Sequence, residues 1–271
     1  MQFSVLMSVY HKENPQHFDA CMQSIWDEQS LKPAQIVLVK DGQLTQALDD
    51  VIERWQQKLA QVLQVVALPV NQGTGKAKNA GLEYCSHDIV CVVDTDDVCV
   101  KNRFEQQLTF LKNNPDVAVV GGQIKEFVQD IEHITGARLV PHTHQEMVKF
   151  AQRQSPCNHM TIAYKKQAVL AVGGYWHHLY MEDYNLFLRL LAGGYRMANL
   201  PDCLVYARID NGMHARRRGV QYVVSEWQLY RLKRALGLQS FIQGLLYFGL
   251  RTLPRLLPSP LLAVVYRKLR Q

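Results

Sequence analysis

The chain has 271 residues, 48% of them hydrophobic and 20% charged, with a formal net charge of +6. That balance describes a globular protein able to bury a large core and excludes an intrinsically disordered chain. The six cysteines, Cys21, Cys85, Cys91, Cys99, Cys157 and Cys203, form no C-x-x-C pair and sit mostly among apolar residues. They read as buried reduced thiols of a cytosolic protein, ahead of a disulfide framework or a zinc site.

The opening MQFSVLMSVYHKENP has no positive segment before a short apolar run, so Phe3–Val9 reads as a buried strand rather than an export signal. Asn14-Pro15 predicts a capped helix start, and Phe18, Cys21, Met22, Ile25 and Trp26 follow at helical spacing. Strands are then expected at Gln35–Lys40, Val62–Leu68, Asp88–Val93 and Val117–Val120. Helices are expected at Leu44–Ala60, Lys76–Tyr84 and Asn102–Asn113. Apolar strands alternating with helices imply a mostly parallel sheet covered on both faces. Ligands of such sheets bind beyond the carboxyl ends of the strands, so the loops after Val9, Lys40, Leu68 and Val93 should face one crevice. The second half is less regular: loop-rich stretches at Ser155–Tyr164 and Gly173–Tyr180, a helix at Glu182–Leu191, a strand at Cys203–Ala207, an Arg-rich loop at Arg208–Gly219 and a helix at Val220–Leu236.

The charge is uneven. Trp227–Gln271 has eight basic residues and no acidic one, against 22 basic and 24 acidic groups in the rest. The longest uncharged run there, Ala235–Leu250, is too short to span a bilayer, and Pro254, Pro258 and Pro260 interrupt the remainder of the tail. Short apolar helices studded with Arg and Lys fit an interfacial segment on an anionic membrane. The alternative is that these helices pack on the body of the protein, but the purely positive charge favours the membrane.

Four features carry chemistry. Asp94-Thr95-Asp96-Asp97 follows an apolar strand and puts three carboxylates at the crevice rim, where they repel unless a cation or donor compensates them. Hard cations such as Mn²⁺ or Mg²⁺ take oxygen ligands and share them with a substrate diphosphate; a helix cap is the plainer explanation of one Asp but not of three. Lys40-Asp41-Gly42 follows the second strand and taken alone is an Asp-Gly turn. Asn71-Gln72-Gly73-Thr74-Gly75-Lys76-Ala77-Lys78 offers backbone N–H groups and two cations to an anion, yet it is neither a Walker loop nor a Rossmann fingerprint. Met181-Glu182-Asp183 opens a helix after Gly173-Gly174-Tyr175-Trp176; the helix dipole favours acids there, and an Asp facing a pocket can take a proton.

Together these features resemble the family 2 glycosyltransferases of GT-A fold, in particular the branch of bacterial exopolysaccharide and O-antigen biosynthesis. His159-Met160-Thr161, Gly173-Gly174-Tyr175, Glu182-Asp183 and Gly212-Met213 with Arg216-Arg217-Arg218-Gly219 also recur in that branch, and the likeness runs from Phe3 to Arg218. Two departures are conservative: Lys40-Asp41-Gly42 stands where many members have two acids, and Lys78 where Arg is frequent. The resemblance implies a Rossmann-like GT-A domain over 1–219, with a nucleotide-sugar half at 1–120 and an acceptor and catalytic half at 121–219. Residues 220–271 would form a basic helical extension.

By the same resemblance, Asp41 binds the base, taken as uridine, and Asn71 and Lys78 hold the nucleotide. Asp94 contacts ribose or metal, Asp96 ligates Mn²⁺ or Mg²⁺, and Asp97 assists. Asp183 is the general base, supported by Glu182. Arg208, Arg216 and Arg217 close over the diphosphate, and His214 is a further metal candidate. The implied reaction is an inverting transfer from a nucleotide-diphosphate sugar to a glycan or lipid-linked oligosaccharide. It would take place peripherally on the inner face of the cytoplasmic membrane, without nucleic acid. Two rivals remain. A metal-dependent phosphatase would use Asp94-Thr95-Asp96 but would want Thr where Val98 stands. A non-enzymatic polyanion-binding module would use the basic tail and leave the acidic clusters unexplained.

Overall fold

The computed structural model describes residues 1–209 and 219–253. Its first half runs β1 (Phe3–Val9), α1 (Pro15–Ile25), β2 (Gln35–Asp41), α2 (Gln46–Leu59), β3 (Leu63–Leu68), α3 (Thr74–Tyr84), β4 (Ile89–Val92), β5 (Val98–Cys99) and α4 (Arg103–Asn113). It continues with β6 (Val117–Phe127), β7 (Ile134–Arg138), α5 (His144–Phe150), β8 (Ala163–Lys165), α6 (Lys166–Ala171), α7 (Glu182–Ala192), β9 (Arg196–Arg208), α8 (Val220–Ala235) and α9 (Phe241–Thr252).

Local chemistry sets the early elements as the sequence suggests. The Asn14 side chain accepts from Gln16 N–H at 2.8 Å with Pro15 in the first turn, and Thr45 caps α2 by accepting from Leu48 N–H. Successive side chains of a strand point to opposite faces. Val5 and Met7 accordingly join one apolar cluster with α1, α2 and α4, while Leu6 joins a second with α3 and α7. Ile36 and Leu38 divide from Val37 and Val39 in the same way. All six cysteines are free thiols, five of them buried.

Among the described residues the strands form one sheet in the order β3-β2-β1-β4-β8-β6-β9-β5, with β7 added beside β6. The first four are parallel; β8 runs antiparallel to both β4 and β6, and β9 returns parallel to β6. The sheet is thus parallel over β3, β2, β1 and β4 and mixed beyond. Two strands are longer than the apolar pattern predicts: β6 runs on to Phe127, and the stretch Cys203–Ala207 is only the end of β9. The reason is Gly121-Gly122, which breaks the apolar run without breaking the strand. A Cβ on Gly121 would lie 2.4 Å from Asn199 Oδ1 and one on Gly122 2.5 Å from Leu204 Cδ1, so the bare backbone is what lets β9 lie against β6.

The C-terminal helices pack on the body through polar as well as apolar contacts. Glu226, 2% exposed, accepts from Arg251 Nε at 2.6 Å and Nη2 at 2.8 Å. Lys233 is buried and donates to Tyr184 Oη at 2.8 Å and Gln152 O at 2.9 Å. Burial, then Arg251, brings Lys233 down to about 7. Two of the eight basic groups counted in the tail are therefore turned inward. No described helix is long and apolar enough to cross a membrane. Yet α9 leaves Ile242, Leu246 and Leu250 60–80% exposed, four residues apart along one stripe.

Candidate active site

The site lies at the carboxyl ends of the parallel strands. Asp41 ends β2, and its two carboxylate oxygens accept from Gln72 N–H at 2.7 Å and Gly73 N–H at 2.9 Å. Asn71 Nδ2 donates back to Asp41 O at 3.2 Å. Gly42 has φ +84°, and a Cβ there would stand 2.6 Å from Asn71 N, so the Asp-Gly pair is what lets this loop close over β2. Asp41 organises the loop that presents Asn71.

The loop after β4 is held from below by Arg103, fully buried, whose Nη2 donates to Val92 O at 2.6 Å. Lys78, on α3 and equally buried, places Nζ 3.0 Å from Asp94 Oδ1. Burial raises the Asp94 carboxyl, but Lys78 and His159 outweigh it, and the net shift is downward. Asp97 is 3% exposed and accepts from the backbone N–H of Arg208 at 2.8 Å, tying β9 to the acidic loop; burial and then Asp96 hold its carboxyl well above the usual range. The Arg208 guanidinium packs 4.5 Å over the Phe127 ring and donates to Asp96 O at 3.3 Å.

Asp96 is the uncompensated member. Burial, then Asp94 and Glu13, push it up to about 7. No group of three or more His, Cys, Asp or Glu side chains placed to hold a metal occurs among the described residues. Of the two acids expected at a metal, Asp94 has Oδ1 taken by Lys78. His214, Arg216 and Arg217 lie outside the described residues.

The other side of the site comes from the start of α7. Glu182 packs against α3, where a methyl at Gly75 would meet its Cβ at 3.5 Å. Burial, then Asp183, raise Glu182 to about 7, with Lys78 and Asp94 also felt there. His159 stands between the two sides, with Nε2 3.0 Å from Tyr175 Oη. Burial and then Lys78 lower it to about 4, against the opposing pull of Asp94 and Asp183. Asp94, paired with Lys78, is thus felt at both Asp96 and Glu182, with Asp183 beside the latter; Asp41 and Asn71 sit at the β2–β3 end of the sheet.

Sequence reasoning missed Glu13 and Tyr175 as site residues and assigned His159 no role. Glu13 lies in the loop after β1 and accepts from Thr95 Oγ1 at 2.8 Å. The rule that placed that loop at the crevice was the available signal. Tyr175 belongs to the Gly173-Gly174-Tyr175 motif, but its contacts with His159 and Asn79 come from 16 and 96 residues away and are not visible locally.

With the site in view, the class of protein follows from sequence comparison. The profile described as "Glycosyl transferase family 2" matches residues 4–176, and the chain belongs to that family. The matched span stops short of Glu182-Asp183, which full-length relatives nonetheless cover. An uncharacterized glycosyltransferase of Haemophilus influenzae is 48% identical over 98% of both chains. The amylovoran biosynthesis glycosyltransferase AmsE of Erwinia amylovora is 43% identical over 99% of both. The Escherichia coli UDP-Gal:α-D-GlcNAc-diphosphoundecaprenol β-1,3-galactosyltransferase is 34% identical over 98% of this chain and 96% of its own.

Solved structures agree on the fold. TarS 1–349 of S. aureus with UDP-GlcNAc superposes with a TM-score of 0.68 at 20% identity, covering 93% of this chain and 72% of that one. The Pyrobaculum calidifontis mannosyltransferase PcManGT, with GDP-Man and Mn²⁺, gives 0.66 at 17% identity, covering 99% and 81%. The chain is a family 2 glycosyltransferase with a GT-A fold.

Proposed function

We propose that the enzyme transfers a hexosyl or N-acetylhexosaminyl group from a UDP-sugar to a hydroxyl of a lipid-linked oligosaccharide, with inversion. The observation that supports this reading is that Asp94, paired with Lys78, is felt both at Asp96 and at Glu182, which stands beside Asp183 at the head of α7. The diphosphate of the E. coli relative's lipid acceptor and the UDP of its donor support the choice of substrates.

In this reading Asp183 takes the proton of the acceptor hydroxyl as that oxygen attacks the anomeric carbon from the side opposite the nucleotide. Glu182, held near neutrality by burial and by Asp183, keeps the charge of the pair low until the proton arrives. Asp41 and Asn71 position the base. Lys78 and Arg208 would supply positive charge to the departing diphosphate, a role assigned also to Arg216 and Arg217, and Asp94 would contact the ribose. Asp96, with Asp94 and with His214 as a further candidate, would hold Mn²⁺ or Mg²⁺, whose chemistry is to neutralise charge on the leaving nucleoside diphosphate. Residues 1–219 form the catalytic unit. Residues 220–271 rest on the inner face of the cytoplasmic membrane, with the exposed α9 stripe and the positive charge toward anionic lipid.

Calorimetric titration with UDP, with Mn²⁺ and then with EDTA, on wild type and Asp96→Ala, tests the donor site. Binding that needs both metal and Asp96 is the expected result, followed by a screen of UDP-sugars beginning with UDP-galactose. Silence toward UDP, GDP and dTDP alike would remove the donor site. Flotation with phosphatidylglycerol vesicles tests the membrane face: binding should weaken with salt and with Leu246→Asp, and binding indifferent to both would refute it.

A further inference from the structure

We infer that Asn79 is a positioning residue that keys the donor-side helix α3 to the acceptor-side turn Gly173–Tyr175, so that Lys78 and the acids of α7 are held in register. The inference rests on the reading of the crevice given above. Asn79 follows Lys78 directly on α3. Its Nδ2 donates to Tyr175 O at 2.6 Å, and its Oδ1 accepts from Tyr175 N–H at 2.7 Å. Both polar atoms of one side chain are thus spent on a single residue's backbone 96 positions away. A side-chain amide closed on a backbone N–H and C=O in this way fixes orientation as well as distance.

The same turn is gripped from the other side. Arg189 of α7 donates through Nη2 to Gly174 O at 2.6 Å, and through Nη1 to Val172 O. Its Nε donates to Asn185 Oδ1 at 2.7 Å, and its guanidinium lies 4.3 Å over the Trp176 ring. The turn is therefore a link with α3 on one end, through Asn79, and α7 on the other, through Arg189. Lys78 and Asp183 belong to those two helices. The Tyr175 hydroxyl extends the link to His159, which feels Lys78, Asp94 and Asp183 together.

Gly174 completes the device. It adopts φ +67°, and a Cβ built there would lie 2.5 Å from Asn79 Oδ1. The turn and the amide fit only while residue 174 has no side chain, so the two positions are coupled by contact.

The test uses the full-length enzyme, with UDP binding by calorimetry, transfer kinetics at saturating donor and acceptor, and thermal melting measured on each variant. Asn79→Asp keeps the size and the acceptor but loses the donor to Tyr175 O. It should lower kcat by about 10- to 100-fold, the scale on which small misplacements of reacting groups act, while UDP binding stays within about 2-fold of wild type. Gly174→Ala should lower kcat similarly. In an Asn79→Ala background the left-handed strain at residue 174 remains but the clash is gone, so Gly174→Ala should lower kcat by less than it does in wild type, as coupled neighbours do.

An unchanged kcat in Asn79→Asp, or additive losses in the double variant, would overturn the inference. A loss of UDP binding or of melting temperature in step with kcat would also overturn it, as the mark of a purely structural contact. If wild type bound no nucleotide, the donor-site reading would fall and the inference with it.

Discussion

Replacing Glu182 with Gln should make the protein more stable, and more so as pH rises. Glu182 is half-buried at the head of α7, and burial with Asp183 beside it raises its pKa from 4.5 to about 7. A group whose folded pKa lies above its unfolded one contributes its full stability below the unfolded value and loses it as pH climbs through the folded value. Linkage across this window puts the cost of Glu182 to the folded state at about 1 kcal/mol at pH 5 and about 3 kcal/mol at pH 8. Gln has the same shape and no charge, so Glu182→Gln escapes that cost. The expected gain in Tm is about 2–4 °C at pH 5 and about 6–12 °C at pH 8, read by urea and thermal unfolding of wild type and variant in matched buffers. Asp183→Asn removes the neighbouring charge and should shrink the difference. A gain equal at both pH values, or a loss at pH 8, would refute the reasoning, because it would mean Glu182 is not strained by charge. Stability gained at the expense of transfer activity is what a functional acid should show.

Asp183→Asn should reduce kcat by about 10²–10⁴-fold with UDP affinity unchanged in calorimetry; a matching loss of UDP affinity would place Asp183 in the donor site instead. Gly42→Ala should weaken UDP binding at least several-fold, since alanine resists the left-handed region by about 1–2 kcal/mol and its Cβ would press on the Asn71 backbone at 2.6 Å. Glu226→Gln should cost about 3 kcal/mol, read as a fall in Tm, because it leaves Arg251 without its buried carboxylate beside Lys233.

The fold of the first half was legible in the sequence because it is local. Strands β1 to β4 are short apolar runs that alternate with helices, and a parallel sheet puts the loops after them on one edge whatever the distant contacts are. Asp41, Asp94 and Asp96 each follow such a strand, but it was the family resemblance, not position alone, that gave them and Lys78 their expected roles. Tertiary structure alone decided the rest. The strand β6 passes through Gly121-Gly122 only because Asn199 and Leu204 of β9 fill the space where its side chains would be. Lys233 and Arg251 count as surface charge in the sequence, yet the packing of α8 and α9 buries one and pairs the other with Glu226. Asn79 reaches Tyr175 across 96 residues of chain and Arg189 reaches Gly174 across 15, while His159 joins them through the Tyr175 hydroxyl. Periodicity reports which face of an element is buried. Which element it meets is set by the order of strands in the sheet, and no short window of sequence contains that information.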